Sequence, residues 1–155
     1  MSISKIQDAG VSLTSAALPA GSVLQVVQGT TVNTTTKIGT TPVVTSLTAS
    51  ITPLFSSSKI LVISTFALYA PSTTKSIAFL YRNGTNISAA TGGAYLYSNI
   101  TSGAQITTGI SLLDSPATTS ATAYAIYLAG NNSGSIVYFN GDNQNQQIIL
   151  MEIAG

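Results

Sequence analysis

The stretch Lys59-Ile-Leu-Val-Ile-Ser-Thr-Phe-Ala-Leu-Tyr69 decides the class of fold. Side chains of a β-strand alternate between two faces, so residues two apart share a side. Here Ile60, Val62, Phe66 and Leu68 fall on one side, and Leu61, Ile63, Ala67 and Tyr69 on the other. Apolar residues on both sides mark a central strand that is covered on both faces. Lys59 guards the entry to it as a charged gatekeeper.

Outward from this strand the same grammar continues. Before it, Val43–Ile51 puts Val43, Leu47, Ala49 and Ile51 on one side and Thr48 and Ser50 on the other. Ser22–Gln28 is rich in valine, and Thr30–Lys37 is a polar surface or edge strand. After it, Ser76–Arg82 runs into Asn83-Gly84, the strongest hairpin signal in the chain, because a type I′ turn needs positive φ at both positions. Thr85–Ala89 returns from that turn. Gly92-Gly93 precedes Ala94–Ile100, and Gln105–Leu113 closes on Asp114-Ser115-Pro116. In Thr122–Ala129, Tyr124, Ile126 and Leu128 face one way, and Ala123, Ala125 and Tyr127 the other. Turns at Asn131–Gly134 and Gly141–Asn143 frame Ser135–Asn140 and Asn145–Ile153. About ten strands with turns every 8–15 residues and no long helical segment predict an all-β, jelly-roll-like antiparallel sandwich. Residues 1–20 read as a short N-terminal arm, ended by the Leu18-Pro19-Ala20-Gly21 turn signal, and residues 21–155 as one β-sandwich domain.

Composition narrows the function. Of 155 residues, five are Lys or Arg and four are Asp or Glu, there is no His, Cys or Trp, and 45% are hydrophobic. Without His or Cys, no Ser-His-Asp or Cys-His constellation exists, and no zinc site or disulfide framework. Lys5, Lys37, Lys59, Lys75 and Arg82 are spread singly, whereas nucleic-acid binding draws on clustered cations. No apolar run approaches the roughly 20 residues of a membrane span, and the first residues lack the pattern of a signal peptide. A free soluble domain keeps about a quarter of its surface charged. So few charges imply that other protein covers part of this surface.

Several local patterns yield to plainer readings. Ser56-Ser57-Ser58-Lys59 fits the lactamase S-x-x-K spacing but stands before a strand, without its companion motifs. Asp8, Asp114, Asp142 and Glu152 are too scattered to predict a glycosidase pair; Asp114 reads as the cap of the turn before Pro116. Asn140-Gly141-Asp142-Asn143 with Asn145 offers oxygens that suit calcium but lacks the EF-hand spacing, so it reads as a hairpin loop. The N-x-S/T sites at Asn33, Asn86 and Asn99 follow from the abundance of Ser and Thr. Tyr95 and Tyr97 beside Gly92-Gly93 are candidates for stacking on sugars, against the plainer reading of rim or interface tyrosines.

Five stretches, in order, carry a resemblance: Leu18-Pro-Ala-Gly-Ser-Val-Leu-Gln-Val-Val-Gln28, Ser57-Ser-Lys-Ile-Leu-Val-Ile-Ser64, Phe79-Leu-Tyr-Arg-Asn-Gly-Thr-Asn-Ile87, Leu113-Asp-Ser-Pro-Ala-Thr-Thr-Ser-Ala-Thr-Ala-Tyr-Ala-Ile-Tyr127 and Ile148-Ile-Leu-Met-Glu-Ile153. Over about residues 18–155 the chain resembles small virion proteins of tailed phages, common among phages of marine and cyanobacterial hosts. Their heads are similar to the trimeric jelly rolls of complement globular domains and tumour-necrosis-factor-like proteins. The resemblance implies a non-enzymatic virion protein without cofactor or metal, made in the host cytoplasm. Related modules serve as capsid decorations and as tail-fibre tips. No repetitive shaft precedes the head here, which favours a decoration, or cement, protein that sits as a homotrimer on the major capsid protein and stabilises the shell. The expected trimer contacts are the apolar faces of Lys59–Tyr69, Thr122–Ala129 and Gln147–Ile153, with Tyr124, Tyr127, Ile148, Leu150 and Glu152 at the interface. The arm is expected to lie across capsid subunits through Ile3, Ile6, Val11, Leu13 and Leu18, adding to a sheet edge. The alternative is a receptor-binding tip that grips host glycans through Tyr95 and Tyr97. Neither nucleic acid nor a membrane is expected as a partner.

Overall fold

In the computed structural model, residues 19–89 and 92–155 are described. The expected all-β, jelly-roll-like sandwich is the fold. Among the described residues twelve strands run β1 (Val23–Thr31), β2 (Thr35–Ile38), β3 (Val43–Ile51), β4 (Lys59–Ala70), β5 (Thr74–Arg82), β6 (Thr85–Asn86), β7 (Ala94–Ser98), β8 (Ala104–Thr108), β9 (Ser111–Asp114), β10 (Thr122–Gly130), β11 (Ile136–Phe139) and β12 (Gln146–Ile153). They form a seven-stranded and a five-stranded sheet, and the pairings are antiparallel. In the larger sheet the first and last strands, β1 and β12, lie side by side. The smaller sheet runs β3-β10-β5-β6, with β7 also on β5.

The strand that opened the sequence reading, β4, is the axis of the larger sheet. Its first half pairs with β12 and β9, and its second half with β11 and β8. Its inward set, Ile60, Val62, Phe66 and Leu68, meets Leu47, Ile51, Leu80, Tyr124, Ile126, Leu128, Ile148 and Leu150 in the core between the sheets. Phe66 and Phe139 lie there with ring centroids 5.5 Å apart. Burying side chains of this size contributes about 1.5–3 kcal/mol each.

Two turns show how the sequence directs the chain. Asn83 and Gly84 both take positive φ, 48° and 80°, as the hairpin reading required. The segment expected as one strand, Gln105–Leu113, is instead β8 and β9 with an irregularity at Gly109-Ile110. At this break the Ser64 amide donates to the Ile110 carbonyl at 3.0 Å, and the Ile110 amide donates to the Ser64 hydroxyl at 3.1 Å. A Cβ on Gly109 would fall on the Ser64 carbonyl. Because the obstacle is backbone, Gly109→Ala forces strands apart and is expected to lower stability by about 1–3 kcal/mol, read as an earlier urea midpoint. A midpoint unchanged from wild type would contradict this account of the break.

Candidate functional site

The outer face of the larger sheet, turned away from the core, divides into two zones along β4. Register places Val26, Met151, Leu61 and Leu113 in one row across β1, β12, β4 and β9. A second row runs Gln28, Ile149, Ile63 and Ser111, and a third Val23, Ile153 and Lys59. Val26 is 56% exposed, Leu113 51% and Ile63 37%, while Leu61, Ile149, Met151 and Ile153 are half-buried by their neighbours. Strand spacing and rise give this apolar field an area on the order of 400 Å². Gln28, Thr30, Gln147, Thr65, Ser111 and Lys59 border it. An aliphatic centre with a polar rim and a single cation at its margin has the anatomy of a protein interface.

The expected contact residues fall differently. Tyr124, Ile148, Leu150 and Glu152 are 0% exposed inside one chain and so are not interface side chains, which corrects the sequence reading. The cause is parity. On β12, Ile148, Leu150 and Glu152 point inward, and Ile149, Met151 and Ile153 form the outer face. Because a strand alternates with period two, choosing the wrong set moves every side chain to the opposite side. Tyr127 is half-buried on the outer face of the smaller sheet, with its ring stacked on Tyr81 at 3.8 Å. Ile3, Ile6, Val11, Leu13 and Leu18 lie outside the described residues.

The buried acids serve the fold. Glu152 accepts hydrogen bonds from the Gln25 side chain at 2.6 Å and from the amides of Leu54 and Phe55 at 2.7 and 3.4 Å. Burial, the largest influence, pushes its carboxyl up, but hydrogen bonding from Gln25, the nearby Ser58 hydroxyl and the two amides outweighs it and holds the pKa below the ordinary value. The Ser58 hydroxyl is itself buried and falls short of full hydrogen-bond geometry, so the Gln25 and amide contacts are the ones to weigh. Glu152 thus fastens the turn before β4 to β12. Asp114 is not simply a turn cap. Arg82 Nη1 reaches both its oxygens at 2.9 Å, and the Tyr124 hydroxyl donates to it at 2.7 Å. Asp114 sits on β9 in the larger sheet, while Arg82 and Tyr124 sit on β5 and β10 in the smaller, so the three clasp the sheets together. Burial first, then the bond to Asp114, keep the Tyr124 hydroxyl protonated far above the usual tyrosine range.

No protein-family model matches this chain, and no curated protein sequence matches it.

Tyr95 and Tyr97, on β7, are 62% and 54% exposed. The Lys75 ammonium stands 4.3 Å from the Tyr95 ring centroid. The two phenols share one exposed face of β7. The second zone of the larger sheet's outer face escaped the sequence reading. There Tyr138, Tyr69 and Gln105 are register neighbours on β11, β4 and β8. With Gly141 and Asp142 they line a cleft of about 420 Å³. The loop at 140–145 was read only as a hairpin, and nothing in sequence places it against β8.

Proposed function

We propose that this chain is a non-enzymatic structural protein that assembles as a homotrimer through the apolar outer field of β1, β12, β4 and β9, and that it decorates and stabilises the head shell of a tailed phage by binding the major capsid protein. The observation that carries the assembly is the four-strand row Val26–Met151–Leu61–Leu113, aliphatic from end to end and open on its outer side. Each copy has about 400 Å² of apolar surface at the centre of that field. Covering it, with its rim, brings the contact toward the roughly 800 Å² per partner of a specific interface. The virion assignment rests on the ordered sequence resemblance. Three linked contacts would give the assembly avidity for a shell of repeating subunits without any tight single contact.

Immunogold labelling of intact particles with antibody against this chain tests the location. Label over the head is the expected result. Label confined to the tail tip would overturn the decoration reading and support the second one, a receptor-binding tip, which the exposure of Tyr95 and Tyr97 favours.

A further inference from the structure

We propose that the cleft between β4, β8, β11 and the 140–145 loop is a binding site for a neutral saccharide residue. Its two phenol rings, Tyr69 and Tyr138, have centroids 5.6 Å apart and planes inclined at 59°, so they meet as two walls of a corner. On the far side Gln105 Nε2 donates to Asp142 Oδ2 at 2.7 Å. Among the described residues, Gln105 Oε1, Asp142 Oδ1 and the Tyr138 hydroxyl make no hydrogen bond, and Tyr69 donates its hydroxyl to the Ser102 carbonyl at 3.2 Å. The cleft is of a size that holds small ligands, roughly 300–1,000 Å³.

The corner is preformed, and its polar groups are spare. The loop is held from beneath by Asn140, 0% exposed and in the left-handed region at φ 56°. Asn140 Nδ2 donates to the Gln144 carbonyl at 2.8 Å, and its Oδ1 accepts from the Gln144 amide at 2.6 Å and from Gln146 Nε2 at 3.0 Å. The Thr34 hydroxyl donates to the Asn140 carbonyl at 2.6 Å and lies 3.0 Å from Asn143 Oδ1, sharing its one hydrogen between them. These bonds fix the loop without Asp142 or Gln105, which bond each other and keep Asp142 Oδ1, Gln105 Oε1 and the second Gln105 amide hydrogen for a ligand.

The chemistry selects the ligand class. A pyranose has a face of C–H groups that packs on the electron-rich face of a phenol ring. It also has neighbouring hydroxyls that donate to a carboxylate and accept from an amide, the pair that Asp142 and Gln105 present. Among the described residues no cation lines the cleft, and Asp142 supplies a carboxylate, so uncharged sugars fit and acidic ones are repelled. The site lies eight residues along β4 from Leu61, about 26 Å at the strand rise, outside the apolar field. The proposal is independent of the assembly reading, because monomers and trimers would bind sugar alike.

Ligand-observed and protein-observed NMR on the intact chain tests it. The probes are methyl glycosides of glucose, galactose, mannose and N-acetylglucosamine, with sialyllactose as the acidic control. At least one neutral glycoside is expected to give saturable shifts. Tyr138→Ala and Asp142→Asn, each checked to melt like wild type, should weaken that binding about tenfold or more, and Tyr95→Ala with Tyr97→Ala should leave it unchanged. Two results would overturn the proposal: no saturable binding by any of the four glycosides, or binding that survives both cleft variants.

Discussion

Leu61→Glu is expected to turn the proposed homotrimer into single chains of 15.8 kDa that remain folded. Leu61 lies at the centre of the outer field, with Met151 on one side and Leu113 on the other. In an isolated chain a glutamate at this position reaches water and disturbs no core side chain. Between copies it is an unpaired carboxylate removed from water, a cost of about 3–5 kcal/mol. At about 1.4 kcal/mol per factor of ten, the dissociation constant rises at least a hundredfold. Sedimentation velocity reads the loss of the larger species, and an unchanged melting profile separates disassembly from unfolding. Leu61→Ala should have a weaker effect in the same direction, because it removes area without adding charge. A Leu61→Glu variant that sediments like wild type would remove the outer field from the interface.

Glu152 gives the second large effect, on the fold itself. Glu152→Ala strips the acceptor from the Leu54 and Phe55 amides and from Gln25 in a fully buried site. Gln25 keeps the Thr52 carbonyl as an acceptor and the Phe55 contact is long, so one to two donors are stranded in effect, at about 1–3 kcal/mol each. The expected loss is about 2–4 kcal/mol, or about 5–15 °C in Tm for a chain of this length. Glu152→Gln keeps the shape and loses less. The two also separate by pH. The folded carboxyl titrates below the ordinary value of 4.5, so as pH falls the unfolded chain takes up the proton first. The contribution of Glu152 is therefore complete above that ordinary value and fades as pH drops through the lower, folded one. The gap in urea midpoint between wild type and Glu152→Gln should narrow from about pH 6 to about pH 3. A gap that stays constant or widens on acidification would show that the buried carboxylate contributes nothing as an anion.

Strand existence was legible in the sequence, and strand facing only in part. Asn83-Gly84 announced its hairpin because the turn type demands residues that tolerate positive φ. In Thr122–Ala129 the two sides are separable because small Ala residues alternate with Tyr124, Ile126 and Leu128, but Tyr124 belongs to the buried side and not to the interface expected for it. Gln146–Ile153 carried no such contrast: Ile148 and Leu150 on one side, Ile149, Met151 and Ile153 on the other, are equally apolar. Only pairing with β1 and β4 decides which set meets the core. The acidic residue misled further, because Glu152 lies on the inward side, where Gln25 and two amides satisfy it. The Tyr69–Tyr138–Gln105–Asp142 cleft was not legible at all. Its members come from three distant stretches, around residue 69, residue 105 and residues 138–142, and no local spacing joins them. What the sequence did carry was the two-sided apolar character of Lys59–Tyr69, and its outer half proves to be the exposed field. On the proposed reading the low charge belongs with it, as the composition of a chain whose apolar face is covered by other copies.

On the proposed reading, copies of this chain cover that field. Sedimentation velocity of the intact chain at micromolar concentration tests it most directly. One boundary at three times the 15.8 kDa chain mass is expected, lost in Leu61→Glu. A wild-type chain that sediments at 15.8 kDa across the micromolar range would contradict it.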